Sequence, residues 1–465
     1  MALGKRHGIQ SAVWIPTQEL PRSPGHPFYQ ALNRLLAEAK FDAFVEKLCQ
    51  PYYATHGRPG IPPGVYFRML LVGYFEGINS QRGIAWRCSD SLSLREFLGC
   101  GPSGDTPDHS SLTVIRQRLP LAVHSAVFVF CLKLAREKGL LRGATLAVDS
   151  TNLAANAAMK SIVRKDTEER WDEYLQRLAA EEGVANPTAE DARRLDRRRR
   201  GKKVSNQDWA SSTDPDSRIA RMKDGRTRLA YKAEHAVDIE SDLLVAAVIH
   251  PADRSDHDTV AETMAEAQVN AEDAGVPEPA RAMVADKGYH STETITGFTA
   301  AGTRTYIPEP KTGGRRRVWQ GKPAEQKRAV VANRRRMRGA RGKRLSRQRS
   351  EKVERSFAHT CETGGGRRTQ IRGRTEVAKR HLLQGCAYNL GVVMRTLFGV
   401  GTPRSLQGAL ASVRALVQAI ASWLRHHLGH LSTPPVRSCL RLPWLGLLNI
   451  ELLPVHKLAR SSTGC

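Results

Sequence analysis

The stretch ATLAVDST (144–151) decides the fold class of this chain. Its short apolar run ends in a carboxylate, Asp149, which is the pattern of a strand that is buried within a sheet. A second stretch, RAMVADKGY (281–289), repeats the pattern and ends its apolar run at Asp286. Because helical patterns follow these runs, we predict an α/β domain, a mixed sheet flanked by helices.

The neighbouring segments complete the predicted sheet. The stretches 229–239 and 243–249 have strand-like patterns and a turn between them, so they are predicted to form a hairpin. Helices are predicted from Asp256 to about Ala274 and at 292–300, followed by a short strand at 303–308. The predicted order is strand, insertion, hairpin, helix, strand, helix, strand, helix.

The insertion at 160–227 is polar and charged, with few large apolar side chains. Eight Arg and Lys residues lie between positions 193 and 203. We predict that this segment is exposed, partly helical and partly flexible.

The N-terminal part of the chain has the periodicity of helices from His26 to about Gly139, after an irregular segment at 1–25. One apolar helix face is formed at i, i+4, i+7 and i+8 by Phe28, Leu32, Leu35 and Leu36. A proline pair at 62–63 is predicted to open a second helix, and a third is predicted near Ser91.

The stretch TPDHSSLTVIRQRL (106–119) is predicted to be a helix with Ser110 as its N-cap. Its basic end, with Arg116 and Arg118, suits the recognition helix of a helix-turn-helix motif. The alternative is a plain helical bundle.

The charge of the chain points to a polyanionic partner. The 465 residues carry 72 Lys and Arg against 46 Asp and Glu, a net charge of +26 with a pI near 10.1. Nucleic acid is the first candidate, and an anionic membrane surface is the second; a genome rich in Arg codons also contributes. A hydrophobic fraction of 40% is ordinary for a folded protein.

The eight cysteines form no CxxC pair, which argues against a zinc ribbon or a redox motif. They are interpreted as reduced thiols of a cytoplasmic protein. The N-terminus lacks the pattern of a signal peptide, and no run of about 18 apolar residues indicates a membrane span.

Two carboxylates are the first candidates for chemistry. Asp149 and Asp286 each stand where an apolar strand ends, and strand ends of such sheets converge on one crevice. Two aspartates there could share a hard cation such as Mg²⁺, which prefers oxygen ligands. Paired metals stabilise the attacking and leaving oxygens of a phosphoryl displacement. The alternative is that each aspartate caps a helix or turn.

A third carboxylate, Glu354, lies in RQRSEKVERSFAH (347–359), which is predicted to be helical. Val353 and Phe357 are spaced to anchor this helix on the sheet, which would place Glu354 at the edge of the buried stripe. The alternative is a surface glutamate paired with a neighbouring arginine. Glu351 competes with Glu354 for the role.

A basic belt precedes Glu354. Residues 311–349 contain 16 Lys or Arg and one acid, Glu325. A second cluster follows Glu354, and such density favours contacts to DNA phosphates. The alternative is a solvated charged surface. The candidate DNA-binding residues are Arg334, Arg335, Arg336, Arg338, Arg347, Arg349, Arg355, Arg367, Arg368 and Arg372.

Several motifs together resemble bacterial insertion-sequence transposases of the DDE type, and in particular the insertion-sequence-1182 group. They are AVDSTNLAANAAMKSIVRKDT (147–167), MKDGRTRLAYKAEHAVD (222–238), VADKGYHS (284–291), VERSFAHTCETGG (353–365), IRGR (371–374) and NLG (389–391). The resemblance covers roughly residues 26–405. It implies a ribonuclease-H-like fold and a Mg²⁺-dependent site, in which Mn²⁺ can substitute, formed by Asp149, Asp286 and Glu354.

The resemblance also implies the substrate, double-stranded DNA. Such enzymes bind the terminal inverted repeats of their own mobile element, cleave its ends and join them to target DNA, as a homodimer or larger assembly in the bacterial cytoplasm, at the nucleoid. Two alternatives remain open at this point: a metal-dependent nuclease without strand joining, and an inactive DNA-binding remnant.

One part of the pattern departs from related enzymes, which often carry a Tyr-Arg-Glu-Lys signature around the glutamate. Here Cys361 stands at the Lys position and Ser350 at the Arg position. Arg347, Arg349 or Arg355 could substitute.

The patterns and the resemblance together predict four segments. They are an irregular segment (1–25), a helical DNA-binding domain (26–140), a catalytic α/β domain (141–400) and a helical tail (401–465). An amphipathic helix is predicted in the tail from Leu406 to about Leu431.

Overall fold

The computed structural model describes residues 25–57, 60–101, 104–184, 188, 190–191, 194, 198, 205–310 and 319–405. The chain divides into two units, Met1–Pro403 and Arg404–Cys465. The predicted irregular segment before residue 25, most of the basic cluster at 193–203 and the predicted helix at 406–431 lie outside the described residues.

The N-terminal part of the first unit is helical, as predicted from its periodicity. The described residues form seven helices there: α1 (Pro27–Glu38), α2 (Phe41–Cys49), α3 (Pro63–Glu76), α4 (Gln81–Asp90), α5 (Leu92–Leu98), α6 (His109–Arg118) and α7 (Leu121–Glu137). The predicted apolar face of α1 is buried, and Pro63 opens α3.

The strands alternate with further helices along the rest of the unit. They are β1 (Thr145–Ala154), β2 (Ile162–Arg164), β3 (Trp209–Ser211), β4 (Arg218–Arg221), β5 (Thr227–Asp238), β6 (Leu244–Pro251), β7 (Ala282–Val284) and β8 (Arg304–Tyr306). The helices are α8 (Trp171–Glu181), α9 (Asp256–Asp273), α10 (Thr292–Ala300), α11 (Ala324–Arg338), α12 (Ala340–Phe357) and α13 (Arg374–Phe398).

The main sheet is mixed, with the order β4-β5-β1-β7-β8, and β6 also pairs with β5. The β5–β6 hairpin is antiparallel, as predicted, and β1 pairs antiparallel with β5 and parallel with β7. The apolar start of β1 is buried on both faces, because helices cover the sheet on its two sides. The mixed sheet with flanking helices is therefore confirmed.

The N-terminal helices and the sheet share one hydrophobic core. Helix α13 connects them, since it packs on α7 and α3 and also on β6. Asn389 on α13 completes the hydrogen bonding of β6, because its side chain accepts from the Leu244 N–H and donates to the Leu244 carbonyl, both at 2.8 Å.

The predicted insertion is more ordered than its composition suggests. Within it, β2 and β3 form a two-stranded sheet, and β4 joins the main sheet. Ile162, Trp209 and Ile219 are buried in a second apolar cluster with Tyr231 of β5. The prediction of an exposed segment is wrong for these residues, because a few large apolar side chains suffice to attach the segment to the sheet edge.

Helix α6 corrects one prediction. Its N-cap is Asp108 instead of Ser110: the Asp108 carboxylate accepts from the Ser110 N–H at 3.0 Å. The basic end of the helix is engaged with protein, since Arg116 pairs with Glu376 at 2.7 Å and Arg118 lies over the ring of Tyr53. These contacts favour the helical bundle over the DNA-reading helix.

Two smaller findings concern the membrane and the cysteines. In the described part of the chain, no single helix has the length and apolar composition of a bilayer span; α6 and α7 meet those criteria only as a pair, which is bent by 98°. The six described cysteines are free thiols.

Candidate active site

Strands β1 and β7 bring the two predicted aspartates to the same level of the sheet. Ala147 pairs with Val284 in parallel register, and Asp149 and Asp286 each follow two residues later. Strand β7 is shorter than predicted, so Asp286 lies beyond it, where its carboxylate accepts from the Gly288 N–H at 2.7 Å.

The two aspartates interact electrostatically. Burial raises the pKa of Asp149, the guanidinium of Arg349 opposes that rise, and the negative charge of Asp286 adds to it. Two carboxylates that repel each other at the end of a sheet have the donor chemistry that a hard divalent cation needs. This part of the predicted site fits a metal.

Arg349, which was predicted to contact DNA, forms an ion pair with Asp149 instead. Its guanidinium donates to the Asp149 carboxylate at 2.7 Å, and only 13% of its side chain is exposed. The pair connects α12 directly to β1, so the helix that carries Glu354 is attached at the candidate site.

Glu354 itself is exposed, next to the buried Val353, and is not brought against the two aspartates. Among the described residues there is no group of three or more His, Cys, Asp or Glu side chains that could hold a metal ion. The structure therefore joins Asp149 with Asp286 and leaves Glu354 on the neighbouring helix. One turn of π-helix (Ala358–Thr363), a feature often found at functional sites, follows that helix directly.

The end of α12 is fixed against β5 by a buried histidine. His235, which is opposite Asp149 in the β1–β5 register, shares a hydrogen bond of 2.8 Å with Ser356 and stacks on Phe357 at 4.0 Å. Burial, together with the neighbouring His381, lowers the pKa of His235 well below its usual value, so the ring is neutral. These contacts set the position of Glu354 relative to the strands.

A buried glutamate on the other face of β5 holds the turn that carries Asp286. Glu234 is fully buried and accepts hydrogen bonds from Tyr289 (2.8 Å), Thr259 (2.9 Å) and Thr263. Although burial opposes its ionisation, the hydrogen bonds from His250, Thr263 and Tyr289 lower the pKa of Glu234 below the usual value. The ionised carboxylate thus anchors the Tyr289 end of the turn that begins at Asp286.

A further carboxylate, Asp256, lies beside the two aspartates. It accepts from Ser150 at 2.8 Å and pairs with Lys232 at 2.7 Å. A side chain at Gly288 would place its Cβ 2.7 Å from Asp256 and 3.1 Å from Asp286, so only glycine allows these two carboxylates to lie this close to the turn.

We expect the Tyr289→Phe substitution to lower the free energy of unfolding by about 1.5–3 kcal/mol, since it removes one donor from a buried, charged acceptor. The change is measured by urea unfolding, from the shift in the midpoint at an unchanged dependence of the unfolding free energy on urea concentration. Tyr388→Phe is the matched control, because the buried Tyr388 hydroxyl has no hydrogen-bond partner among the described residues and its loss is expected to be neutral. Equal midpoints for the two variants would show that the Tyr289 hydrogen bond contributes nothing.

Most of the predicted DNA-binding arginines bind protein groups. Arg334 pairs with Glu309, Arg336 donates to Thr305, Arg349 pairs with Asp149, Arg355 pairs with Asp242 and Glu351, Arg367 pairs with Glu362, and Arg372 donates to the Asn156 carbonyl. Arg335, Arg338, Arg347 and Arg368 are exposed and, within the described part of the chain, make no ion pair. These four are the candidates that can reach a phosphate without first giving up a partner.

Sequence reasoning missed Glu234, Lys232 and Asp256. The stretch YKAEHAVD (231–238) alternates apolar and polar positions, a pattern that does not indicate that its charged side chains are buried. Lys232 and Glu234 are 3% and 0% exposed because α9 covers that face of the strand. The available signal was a Lys and a Glu two positions apart within a predicted strand, since residues at that spacing share one face of the strand.

Two family models match the chain. One, described as Transposase domain (DUF772), matches residues 18–118, and the other, described as Transposase DDE domain, matches residues 189–390. The second match contains Asp286 and Glu354, whereas Asp149 lies between the two matched ranges. No curated protein and no solved structure matches the chain.

Proposed function

We propose that this chain, which its two family matches indicate to be a DDE-type transposase, binds the terminal inverted repeats of an insertion sequence, cleaves the DNA ends and joins them to target DNA. The observation that supports the proposal is the parallel register of β1 and β7, in which Ala147 pairs with Val284 and Asp149 and Asp286 each follow two residues later. A ribonuclease-H-like fold is the architecture that the Transposase DDE domain implies.

The proposed cofactor is Mg²⁺, with Mn²⁺ able to replace it, held by Asp149, Asp286 and Glu354. When bound, such ions neutralise charge that develops on the oxygens of the transferring phosphate. The donor chemistry of the aspartate pair fits this role. Glu354 is included because the resemblance to DDE transposases implies it; on α12 its side chain is exposed and is not brought against the two aspartates. Arg349 offsets the negative charge of Asp149 and so holds its side chain in an ordered position.

The basic surface supports the DNA part of the proposal. Arg335 and Arg338 lie on α11, and Arg347 lies on α12, the helix that also carries Glu354. Exposed arginines that make no ion pair with a described residue are suited to sequence-independent phosphate contacts, which position a duplex. We propose that the enzyme works as a homodimer or larger assembly on DNA, in the bacterial cytoplasm.

A strand-transfer assay tests the proposal. The full chain is incubated with a labelled duplex that carries the end of the insertion sequence encoding it, a supercoiled target plasmid and Mg²⁺ or EDTA. We expect cleavage at the element end and joined product with Mg²⁺, and neither product with EDTA. Cleavage without joining would establish the nuclease alternative, and binding without cleavage would establish the inactive remnant.

A further inference from the structure

A groove of about 790 Å³ opens at the end of β1, next to the candidate carboxylates. Four residues of β1 after Asp149 line it: Ser150, Thr151, Asn152 and Ala154. The turn between β4 and β5 contributes to its lining, and so do the start of α9 and the segment that follows the π-helical turn.

The groove is strongly basic. Seven Lys or Arg side chains line it, against two acids: Arg221, Lys223, Arg228, Lys232, Arg254, Arg367 and Arg368, with Asp224 and Asp256. Both acids are already neutralised within the groove, since Asp224 pairs with Arg228 at 3.3 Å and Asp256 pairs with Lys232 at 2.7 Å. The groove therefore carries a net positive charge toward any ligand that enters it.

Three of these cations have no acidic partner in the portion of the chain that the structure describes. Arg221, Lys223 and Arg368 are exposed and make no ion pair with a described residue. By contrast, Arg254 pairs with Glu262 and Arg367 pairs with Glu362. Arg221 and Lys223 lie in one segment of the chain, and Arg368 lies 147 positions after Arg221. The tertiary fold therefore brings these three cations into one groove.

The groove leads to the candidate active site. Neither Asp149 nor Asp286 is among its described lining residues, but Gly288, which lies two residues after Asp286, is. Asp256, which also lines the groove, accepts a hydrogen bond from Ser150 and lies against Gly288, so the groove reaches the turn that begins at Asp286. A chain of phosphates in the groove would therefore approach the candidate site from the turn that carries Asp286.

We propose that this groove binds the sugar-phosphate backbone of the DNA strand that is cut, with Arg221, Lys223 and Arg368 as phosphate contacts. The inference rests on the proposed function and adds to it the path of the substrate strand. The described lining contains no Phe, Tyr or Trp, and His257 is its one ring that a base could stack on. Phosphate contacts carry no base information, so the contacts of the three proposed cations are independent of DNA sequence.

The test compares two triple variants of the full chain. The groove variant is Arg221→Ala, Lys223→Ala and Arg368→Ala. The control, Arg34→Ala, Lys47→Ala and Arg281→Ala, removes the same two Arg and one Lys from exposed positions outside the groove. Affinity for a labelled duplex of arbitrary sequence is measured across a series of KCl concentrations.

We expect the groove variant to bind at least about tenfold more weakly than the control, with a salt slope that falls by about 0.9 for each lost contact. The loss should be equal for unrelated duplex sequences. An unchanged slope, or the same loss in the control variant, would overturn the proposal.

The two proposals can fail separately. If the groove variant binds like the wild type while Mg²⁺-dependent cleavage persists, the groove is not the strand path and the enzyme assignment stands. If the groove variant loses affinity while the wild type cleaves no DNA with Mg²⁺, the groove binds DNA and the enzyme assignment falls.

Discussion

Replacing Asp149 or Asp286 with asparagine is expected to abolish DNA cleavage and to leave DNA affinity near that of the wild type. Each substitution removes one negative charge from the proposed cation site and keeps the size of the side chain. Because metal stabilisation of a phosphoryl transfer is worth several kcal/mol, cleavage should fall by about a thousandfold or more. DNA binding depends on the basic residues, which the substitutions leave in place.

The measurement is Mg²⁺-dependent cleavage of a labelled element-end duplex beside binding of the same duplex. Asp166→Asn is the matched control, because Asp166 forms an ion pair with Arg164 at 2.6 Å as Asp149 does with Arg349. Asp166 is exposed and lies in the predicted insertion, away from the candidate site. This control is expected to cleave normally. Normal cleavage by Asp149→Asn or Asp286→Asn would remove that aspartate from the site.

The second large effect is expected at Glu354. Glu354→Gln should retain the fold and DNA affinity, because the side chain is exposed, and should lose Mg²⁺-dependent cleavage by about a hundredfold or more. Glu351→Gln should retain most activity. The carboxylate of Glu351 pairs with Arg355 at 2.6 Å, and Arg355 also binds Asp242, so Glu351 belongs to an ion-pair network at the β5–β6 turn.

Both variants are assayed on the same labelled duplex, and Glu351→Gln serves as the control for charge on this helix. An active Glu354→Gln beside an inactive Glu351→Gln would move the catalytic position by about one helical turn. Activity in both would leave the site with the two aspartates alone.

Local patterns predicted the main elements well. Periodicity and turn residues, which depend only on near neighbours in the sequence, predicted four of them: the apolar face of α1, the proline that opens α3, the β5–β6 hairpin and helix α10. The N-cap of α6 is Asp108, two residues before the predicted Ser110; both residue types are good caps, and sequence alone does not choose between them.

The placement of Asp149 and Asp286 was also predictable in outline, since each ends an apolar run and such runs become neighbouring strands. Their level in the sheet depends on the β1–β7 register, which no local pattern contains. The role of Arg349 was not predictable for the same reason: its partner lies 200 positions earlier in the chain, and a belt of similar arginines gives no sign of which one is paired.

The sequence by itself determined which residue types could do the chemistry and which segments become strands and helices, because both depend on composition and short spacings. Only the tertiary structure decided which charged side chains form ion pairs with other described residues and which do not. The packing of α9 and α12 on opposite faces of the sheet buries Glu234 and pairs Arg349. The approach of the β4–β5 turn to Arg368 creates the basic groove. These ion pairs and this groove form between residues that are distant in sequence, so they exist only once the whole fold has brought those residues together.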